Sequence, residues 1–390
     1  MRIGFFTDSY LPVRHGVQVS IDSFRKCLQM LGHKVFIYTT AFPKYKETDP
    51  EIIRLHSFKV IPKPEMRVGL PIIQKGKFDD ALKIELDIVH AHTPFSLGLF
   101  GKYISKLQRI PMVYTHHTHY VEYAKSYFFK EKYILPFFAK QFTKWFCSLS
   151  DAVIAPSQKI KKMLLEYGVK KKIYVLPTGI PVNFFKPTEI SRNRAAKLRE
   201  NLGIASDDKV LLSFGRIGKE KNLDFLISAY VAARKINPKL KLVIAGDGPY
   251  AEKLKTWAQK AAGGEIIFTG FVPQEEKAIY YQAADIFVFT SLTDTQGIVI
   301  LEAAASGLPI IALKDDAWYG NLINGKNGFS VKAVLADGFA SKIVELSQDS
   351  ARLKSFGEMS VKIAEEYSES NAAEKLIKIY KAVIKGRDRK

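Results

Sequence analysis

The chain has 390 residues, 47% of them hydrophobic, and a formal net charge of +20 at pH 7. This length and composition indicate about two to three folded domains and exclude a disordered chain. The excess of lysine and arginine predicts an anionic partner, which is a nucleic acid, an acidic membrane surface or a phosphorylated substrate.

The cysteines and the apolar runs indicate a cytoplasmic protein. Cys27 and Cys147 lie far apart and lack CxxC spacing, so neither a disulfide framework nor a thiolate metal site is predicted. The first apolar residues are too few for a signal peptide, and no apolar run approaches the roughly 18 residues that span a bilayer. We therefore expect a protein of the cytoplasm.

The first half of the chain begins with a βαβ pattern. Residues 2–7 predict a strand, and a helix follows because apolar residues recur at three- and four-residue spacing, at Val17, Ile21, Phe24, Leu28 and Leu31. Gly32 ends this helix before a second strand at 35–40, so the sheet should be parallel with right-handed crossovers. Further strands are predicted at residues 88–92, 111–115, 152–156 and 173–176.

The strand pattern starts again after a linker near residues 178–186. New strands are predicted at residues 210–214, 242–245, 266–269, 286–289, 309–313 and 329–331. We therefore expect an α/β fold of two Rossmann-like, doubly wound domains facing a cleft, with boundaries at residues 1–180 and 181–370. Residues 371–390 predict a helix that packs back toward the N-terminal domain. The cleft between two such domains is the expected ligand site.

A basic turn at residues 215–222 leaves a strand and enters a helix. It places Arg216 and Lys221 at the carboxyl edge of the sheet, beside a helix N-terminus, where both can grip a diphosphate. The alternative is a solvated basic turn.

Residues 289–309 read as strand, loop, helix and strand. The free N–H groups at Gly297, Ile298 and Val299 can meet an anion, and the carboxylates of Asp294 and Glu302 flank that turn. This combination predicts a ligand that carries both phosphates and hydroxyls. The alternative is a plain βαβ connection with a solvated aspartate and a satisfied glutamate.

Three further patterns carry weaker signals. The pairs His90/His92 and His117/His119 have the spacing of metal ligands at a strand end, but a polar rim of histidines is the favoured interpretation because no third ligand is visible. Residues 246–251 fit a relaxed dinucleotide fingerprint, although a tight βα turn is favoured. Residues 320–327 fail as a phosphate-binding P-loop because Asn327 replaces the Ser or Thr that would hold magnesium.

Aromatic residues alternate with lysines in two segments of the first half. Residues 120–146 are typical of an amphipathic helix that inserts its apolar face among anionic headgroups, and residues 67–83 are a second candidate. Part of the aromatic set must belong to the core. We expect at least one of these segments to contact an anionic membrane surface.

Taken together, these motifs resemble those of retaining glycosyltransferases with the GT-B fold, of the family 4 type. The specific matches are GRIGKEKNLD, AGDGP and DTQGIVILEAAASGLPI in the second half. The first-half segments FTDSYLP, HAHTPFSLG, VYTHHTHYVEY and IYVLPTGI are similar to bacterial 1,2-diacylglycerol 3-glucosyltransferases.

The resemblance implies a role for each matching position. Arg216 and Lys221 would hold the diphosphate, Glu302 the ribose, and residues 297–299 would present backbone N–H groups. Asp294 would hold the hydroxyls of the donor sugar, His117 would lie by its anomeric carbon, and Gly16 would let the donor's phosphate approach the backbone. The chain departs from the family pattern at Asp294, where Glu is usual, and at His15-Gly16, where the family has two glycines. Both departures bear on which sugar is transferred.

The resemblance implies transfer of glucose from UDP-glucose to diacylglycerol at the inner face of the cell membrane, with no cofactor. No Asp-x-Asp motif occurs, so Arg216 and Lys221 would replace a metal. Other donors such as GDP-mannose, and other acceptors such as phosphatidylinositol or a polysaccharide, remain open. A sugar-nucleotide epimerase would share the cleft. A nucleic-acid-binding protein is the alternative class, but no binding module is recognisable.

Overall fold

The computed structural model describes residues 1–13, 16–59, 67–70, 73, 75–120, 134–332 and 335–387. The chain divides into two compact units, Met1–Gly179 together with Glu369–Lys390, and Ile180–Ser368. Each unit is an α/β structure built on a parallel sheet. The predicted α/β fold with two Rossmann-like sheets is confirmed.

The first unit contains nine described strands and six described helices. The strands are β1 (Arg2–Phe6), β2 (Lys34–Thr40), β3 (Ile52–Leu55), β4 (Ser57–Lys59), β5 (Arg67–Gly69), β6 (Ile88–Ala91), β7 (Met112–Thr115), β8 (Ala152–Ala155) and β9 (Lys172–Val175). The helices are α1 (Gly16–Met30), α2 (Lys75–Lys83), α3 (Ser96–Leu107), α4 (Ile134–Leu149), α5 (Gln158–Glu166) and, at the end of the chain, α14 (Glu369–Arg387).

The second unit contains six described strands and eight described helices. The strands are β10 (Lys209–Phe214), β11 (Leu240–Ala245), β12 (Ile266–Gly270), β13 (Ile286–Phe289), β14 (Ile310–Leu313) and β15 (Gly328–Val331). The helices are α6 (Val182–Phe185), α7 (Glu189–Asn201), α8 (Leu223–Ile236), α9 (Ala251–Ala262), α10 (Lys277–Gln282), α11 (Ile298–Ala305), α12 (Ala336–Ser347) and α13 (Ser350–Glu366).

The strand order in each sheet reverses direction once. The first sheet has the order β3-β2-β1-β6-β7-β8-β9, and the second has the order β12-β11-β10-β13-β14-β15. The first strand of each sheet therefore lies beside a strand reached by a crossover in the opposite direction, β1 beside β6 and β10 beside β13. Ligands of open α/β sheets bind at the carboxyl ends of the strands at such a switch point. The fold thus places one candidate binding edge in each unit.

Apolar packing holds helices against both faces of the first sheet. One core cluster joins Phe6, Tyr38 and Phe100 on the face that carries α3. The other contains Phe5 and Phe24 together with Tyr380 of the C-terminal helix, so α14 packs beside α1 within this unit. The C-terminal residues therefore belong to the core of the first unit.

Helix α1 shows how far the apolar stripe predicted the local structure. Ile21, Phe24 and Leu28 are buried as their spacing requires. Leu31 lies after the helix has ended at Met30 and is exposed, which corrects the predicted stripe at its last position. Gly32 follows with a φ of 79°, the left-handed conformation that ends many helices.

A buried carboxylate ties β1 to the start of α3. Asp8 follows β1 and accepts hydrogen bonds from the hydroxyls of Thr93 and Ser96 and from the backbone N–H of Leu97 at 3.0 Å. Burial raises the pKa of Asp8, and these hydrogen bonds oppose that rise. These hydrogen bonds connect the loop after β1 to the loop after β6, the two strands at the switch point of the first sheet. Among the described residues, no helix combines the length and the unbroken apolar character that a membrane crossing requires.

Candidate active site

The second switch point brings together the two loops that the sequence singled out. The loop after β10 carries Arg216 and Lys221, and the loop after the neighbouring β13 carries Asp294. The hydroxyl of Thr290 donates hydrogen bonds to the backbone carbonyls of Lys221 and Asn222, at 3.1 and 3.2 Å. Hydrogen bonds from a side chain to the backbone therefore join the two loops and fix the positions of the side chains that the loops carry.

Lys221 and Asp294 form a two-point ion pair. The Nζ atom of Lys221 lies 2.9 Å from each carboxylate oxygen of Asp294. Both side chains are partly exposed, at 22% and 26%. The pair presents a cation and a carboxylate side by side at the sheet edge, where the cation suits a phosphate and the carboxylate suits hydroxyl groups.

Arg216 lies at the same edge of the sheet, and its side chain is more exposed than that of Lys221. Its guanidinium donates to the carboxylate of Glu220, four residues along the chain, and its side chain is 51% exposed. Arg216 and Lys221 line one depression together with Phe214, Gly215 and Thr290. Two cations thus border a single concave surface, which is the arrangement that a diphosphate requires.

The helix α11 begins at this edge, as the sequence predicts. Gly297 precedes it with φ 70° and ψ 51°, a left-handed conformation that costs other residues free energy. A Cβ atom at Gly297 would also lie 3.3 Å from side-chain atoms of Ile300 and Trp318. Helical residues start at Ile298 and Val299, so their backbone N–H groups and the positive end of the helix dipole lie at the loop.

Glu302 has two partners that the sequence interpretation missed. Lys277 donates to its Oε1 atom at 2.6 Å, and the hydroxyl of Tyr281 donates to its Oε2 atom at 2.7 Å. Lys277 also lies over the ring of Phe214, 5.3 Å from its centre. Burial, and next the charge of Glu302, raise the pKa of Tyr281, so its hydroxyl stays protonated and donates. The carboxylate is held in one orientation.

The spacing of Lys277 and Tyr281 was the signal that could have drawn attention to them. Residues four apart on α10 lie on the same face of the helix. The sequence did not show that this face meets Glu302, because α10 and α11 are joined through β13 and its long loop.

The first switch point carries the histidines. His92 follows β6, and His116 and His117 follow β7, its neighbour in the sheet. Their positions agree with the predicted polar rim at the carboxyl edge. The Nδ1 atom of His92 lies 3.0 Å from Nε2 of His117, which is the predicted catalytic histidine. His90 lies within β6, and its ring centre is 4.1 Å from that of His92.

Burial keeps these histidines neutral. It lowers the pKa of His90 to about 3, with a further contribution from His117. Burial lowers the pKa of His116 to about 3, and electrostatic interactions with His119 and His117 contribute further. The pKa of His92 is also far below its ordinary value, through burial and then through His90 and His117. A group of neutral imidazoles can exchange hydrogen bonds but offers no fixed charge.

Gly16 is the first residue of α1 and lies after the first switch-point loop. A Cβ atom at this position would meet no atom within 4 Å, so the backbone there is open. The role of Gly16 at the donor's phosphate stays a prediction, and the preceding Arg14 and His15 lie outside the described residues. Gly16 and His117 belong to the first unit, whereas the predicted residues 216, 221, 294, 297–299 and 302 belong to the second.

The glycine-rich turn after β11 is a packing feature. A Cβ atom at Gly246 would lie 1.9 Å from the carbonyl oxygen of Gly215, so only glycine allows these two turns to touch. The favoured interpretation of residues 246–251 as a tight βα turn therefore agrees with the structure. Within the described ranges, no group of three or more His, Cys, Asp and Glu side chains is arranged as a metal site.

Comparison with known proteins identifies the family. Residues 195–362 match the family described as Glycosyl transferases group 1, and residues 14–184 match Glycosyltransferase Family 4. The chain is 39% identical to alpha-monoglucosyldiacylglycerol synthase from Streptococcus pneumoniae over 84% of its length and 74% of the relative. The chain belongs to the GT-B glycosyltransferases of the family 4 type.

Other relatives agree with this glycosyltransferase family. The alpha-monoglucosyldiacylglycerol synthase of Acholeplasma laidlawii is 34% identical over 84% of each chain. The crystal structure of HepE from Anabaena in complex with UDP superposes with a TM-score of 0.77 at 19% identity, over 98% of this chain and 100% of HepE. Sucrose-phosphate synthase from Thermosynechococcus elongatus gives a TM-score of 0.76 at 20% identity over 99% of both chains. These structural matches establish the GT-B fold.

Proposed function

We propose that this glycosyltransferase moves glucose from UDP-glucose to diacylglycerol with retention of the anomeric configuration, at the inner face of the cell membrane. The observation that carries the proposal is the arrangement at the carboxyl edge of the second sheet. Arg216 and Lys221 line one depression there, Lys221 pairs with Asp294, and α11 begins after the loop that carries Asp294. The two similar glucosyldiacylglycerol synthases support glucose as the sugar and a lipid as the acceptor.

The donor fits the second-unit edge group by group. Arg216 and Lys221 hold the diphosphate, and the backbone N–H groups of Ile298 and Val299 donate hydrogen bonds to one of its oxygens. Glu302, oriented by Lys277 and Tyr281, accepts hydrogen bonds from the ribose hydroxyls. Asp294 accepts from hydroxyls of the sugar. The complexes of HepE with UDP and with UDP-glucose support a uridine nucleotide in this fold.

In the proposed transfer, negative charge develops on the departing UDP. The bond between the anomeric carbon and the phosphate oxygen breaks, and its electron pair goes to the departing UDP. The acceptor hydroxyl forms the new bond on the same face and gives its proton to an oxygen of the leaving phosphate. Arg216, Lys221 and the α11 dipole stabilise the added negative charge, so these groups replace a metal ion. Each such donor contributes about 3–4 kcal/mol in a closed site.

The apolar and basic surface of the first unit supports a lipid as the acceptor. On α4, Phe137 and Phe138 are 58% and 61% exposed, and Trp145 is also exposed beside Lys144. Phe95 at the start of α3 stacks on Phe142 of α4 at 5.9 Å between ring centres. On α3, the apolar side chains of Leu99, Tyr103 and Leu107 are also exposed.

This aromatic surface of α3 and α4 includes part of one segment that the sequence predicts to bind membranes. Residues 121–133 of the 120–146 segment lie outside the described residues, as do several of the 67–83 segment. Insertion of aromatic side chains among anionic headgroups, with lysines at the surface, would bring the chain to a diacylglycerol acceptor. We propose that the enzyme acts while bound peripherally to this membrane.

The test is product analysis with anionic vesicles that contain diacylglycerol, offered a panel of nucleotide sugars. We expect a hexosyl-diacylglycerol from UDP-glucose, detected by mass spectrometry. A product only with GDP-mannose, or only with phosphatidylinositol, would replace the donor or the acceptor in the proposal. Absence of any glycolipid with every nucleotide sugar would contradict it, and epimerised nucleotide sugar without acceptor would indicate an epimerase.

A further inference from the structure

A row of buried side chains runs from the C-terminal helix to His117. The hydroxyl of Tyr380 on α14 lies 2.6 Å from Nδ1 of His90, and Nε2 of His90 lies 2.6 Å from the hydroxyl of Thr115. His90 packs against His92, which contacts His117. We propose that Tyr380, His90 and His92 are positioning residues that fix the ring of His117 and hold its proton on Nδ1.

The rotation of the His90 ring is set by its two hydroxyl partners. Tyr380 is fully buried, and among the described residues its hydroxyl lies within hydrogen-bond distance of Nδ1 of His90. A buried O–H requires an acceptor, so Tyr380 donates to Nδ1 of His90. The proton of His90 then lies on Nε2 and is donated to Thr115. Both edges of the ring are anchored, one by the C-terminal helix and one by β7.

The ring of His92 is held by packing against neighbouring rings and not by a hydrogen bond from His90. The ring of His90 lies 4.1 Å from it between centres, and the ring of Phe5 lies 4.7 Å from it at 64°. Phe5 also meets His90 edge-on at 5.4 Å. In a close-packed core, a displaced His90 would displace His92. The influence of Tyr380 therefore reaches His92 by packing.

The contact between His92 and His117 is a hydrogen bond in the plane of both rings. The ring planes are inclined by 16°, and the ring centres are 5.2 Å apart. This separation equals the 3.0 Å between the nitrogens extended by one ring radius at each end, so the rings meet edge to edge. Such an arrangement directs the N–H of one ring at the lone pair of the other.

The direction of this hydrogen bond follows from the other nitrogen of His92. Across the described part of the chain, the buried Nε2 of His92 has no hydrogen-bond partner. An orphaned buried N–H is rarer than an under-satisfied acceptor, so Nε2 carries the lone pair and Nδ1 carries the proton. His92 then donates to Nε2 of His117, and the proton of His117 lies on Nδ1.

The position of the proton on His117 limits what this residue can do in sugar transfer, and this step rests on the proposed function. The Nε2 lone pair of His117 accepts from His92, and Nδ1 is already protonated, so neither nitrogen can take a proton from the acceptor hydroxyl. With Nδ1 protonated and Nε2 accepting, His117 acts as a hydrogen-bond donor and not as a base, and the leaving phosphate remains the base. The C-terminal helix thereby helps to define a residue at the reacting carbon.

Nuclear magnetic resonance of the full chain labelled with ¹⁵N-histidine tests the tautomer without reference to activity. We expect the Nε2 of His117 to show the shift of an unprotonated acceptor and its Nδ1 that of an N–H, with the signals assigned from a His117→Gln variant. In His92→Leu, the proton of His117 should redistribute toward Nε2. An Nε2–H form in the unaltered chain, or an unchanged pattern in His92→Leu, would overturn the proposal.

Kinetic variants provide a second readout. Tyr380→Phe keeps the ring and removes the hydroxyl, so we expect kcat to fall about fivefold to tenfold with little change in the donor KM. His92→Asn places an amide donor where Nδ1 lies, so it should retain more activity than His92→Leu. The matched control is His33→Asn, since His33 contacts the N-terminal amine outside this row.

The two proposals fail separately. The expected tautomer pattern in a chain that transfers no sugar would support the positioning of His117 and contradict the proposed function. Transfer to diacylglycerol with an Nε2–H form of His117, or with kcat unchanged in Tyr380→Phe, would contradict the positioning alone. If His92→Leu fails to fold, Tyr380→Phe decides, because it must alter the ring environment of His90 and lower kcat.

Discussion

The two units hold their candidate functional side chains in opposite electrostatic states. In the second unit, Lys221 pairs with Asp294, Arg216 with Glu220 and Lys277 with Glu302, all as ions at the sheet edge. In the first unit, His90, His92 and His116 are buried, and burial lowers the pKa of each. One edge is built from charges and the other from neutral hydrogen-bonding rings.

This contrast assigns different chemistry to each edge. Charged pairs at a partly exposed edge suit an anionic ligand, because phosphate oxygens can share the cations and hydroxyls can share the carboxylates. Neutral imidazoles offer no fixed positive charge to a diphosphate, but their N–H groups can donate hydrogen bonds. We therefore propose that the second unit binds the nucleotide and that the first unit binds the acceptor.

The largest effect should come from removing the exposed cation of the second unit. We expect Arg216→Ala to lower kcat/KM for transfer about 100-fold to 1,000-fold, because the leaving diphosphate loses one of its two cations. Initial rates with UDP-glucose and vesicles measure this. Arg194→Ala is the matched control, since Arg194 forms a surface pair with Glu276 in the same unit. Equal rates in both variants would show that Arg216 does not hold the diphosphate.

The apolar surface of the first unit should matter for membrane binding and not for nucleotide binding. We expect Phe137→Ser with Phe138→Ser to weaken vesicle binding by about tenfold or more, because two exposed aromatic side chains no longer leave water. Vesicle flotation measures binding, and UDP affinity should be unchanged. Phe271→Ser removes a still more exposed phenylalanine from the second unit and should have no effect. Loss of binding in both variants would remove the distinction between the units.

The buried pair of the second unit should affect donor affinity more than turnover. We expect Lys277→Met to raise the KM for UDP-glucose about tenfold at similar kcat, because Glu302 then binds the ribose less well in ground and transition state alike. Steady-state kinetics separate the two constants. Lys255→Met removes an exposed lysine paired with Glu252 and serves as the control. A fall in kcat alone would place Lys277 at the reacting atoms instead.

The neutral histidines of the first unit predict acid sensitivity. His90 and His116 have a folded pKa of about 3 against an ordinary value of 6.5, so the unfolded chain binds their protons first as the pH falls below 6.5. Stability is unaffected by these groups above pH 6.5 and decreases below it, by about 1.4 kcal/mol per pH unit for each histidine. Chemical unfolding at several pH values measures the slope. His116→Asn should reduce that slope, and an equal slope would show that His116 is charged in the folded chain.

Most strands of the two sheets could be predicted from the sequence because they contain an apolar run. The predicted strands at 210–214 and 286–289 coincide with β10 and β13 to within one residue. Strand β3 was missed, since its four residues include Arg54. The hairpin of β4 and β5 was also missed, since three-residue strands with exposed Phe58 and Val68 carry no clear pattern. Length and burial of a strand therefore set how visible it is.

The site could be predicted where it lies on strand ends and not where it depends on packing. Arg216, Lys221 and Asp294 follow strands, so strand positions alone placed them at one edge. The partners of Glu302 and the contact of Tyr380 with His90 depend on how helices dock, which the sequence does not show. Tyr380 is 290 residues from His90 along the chain.

The most direct test of the account follows the anomeric carbon through the reaction. The full chain is incubated with anionic vesicles containing diacylglycerol and with UDP-glucose labelled with ¹³C at that carbon, and the label is followed by nuclear magnetic resonance. We predict that the signal moves from the nucleotide to a glucosyl-diacylglycerol with the same α configuration. A β-linked product, label released as free glucose, or label that remains in the nucleotide would contradict the account.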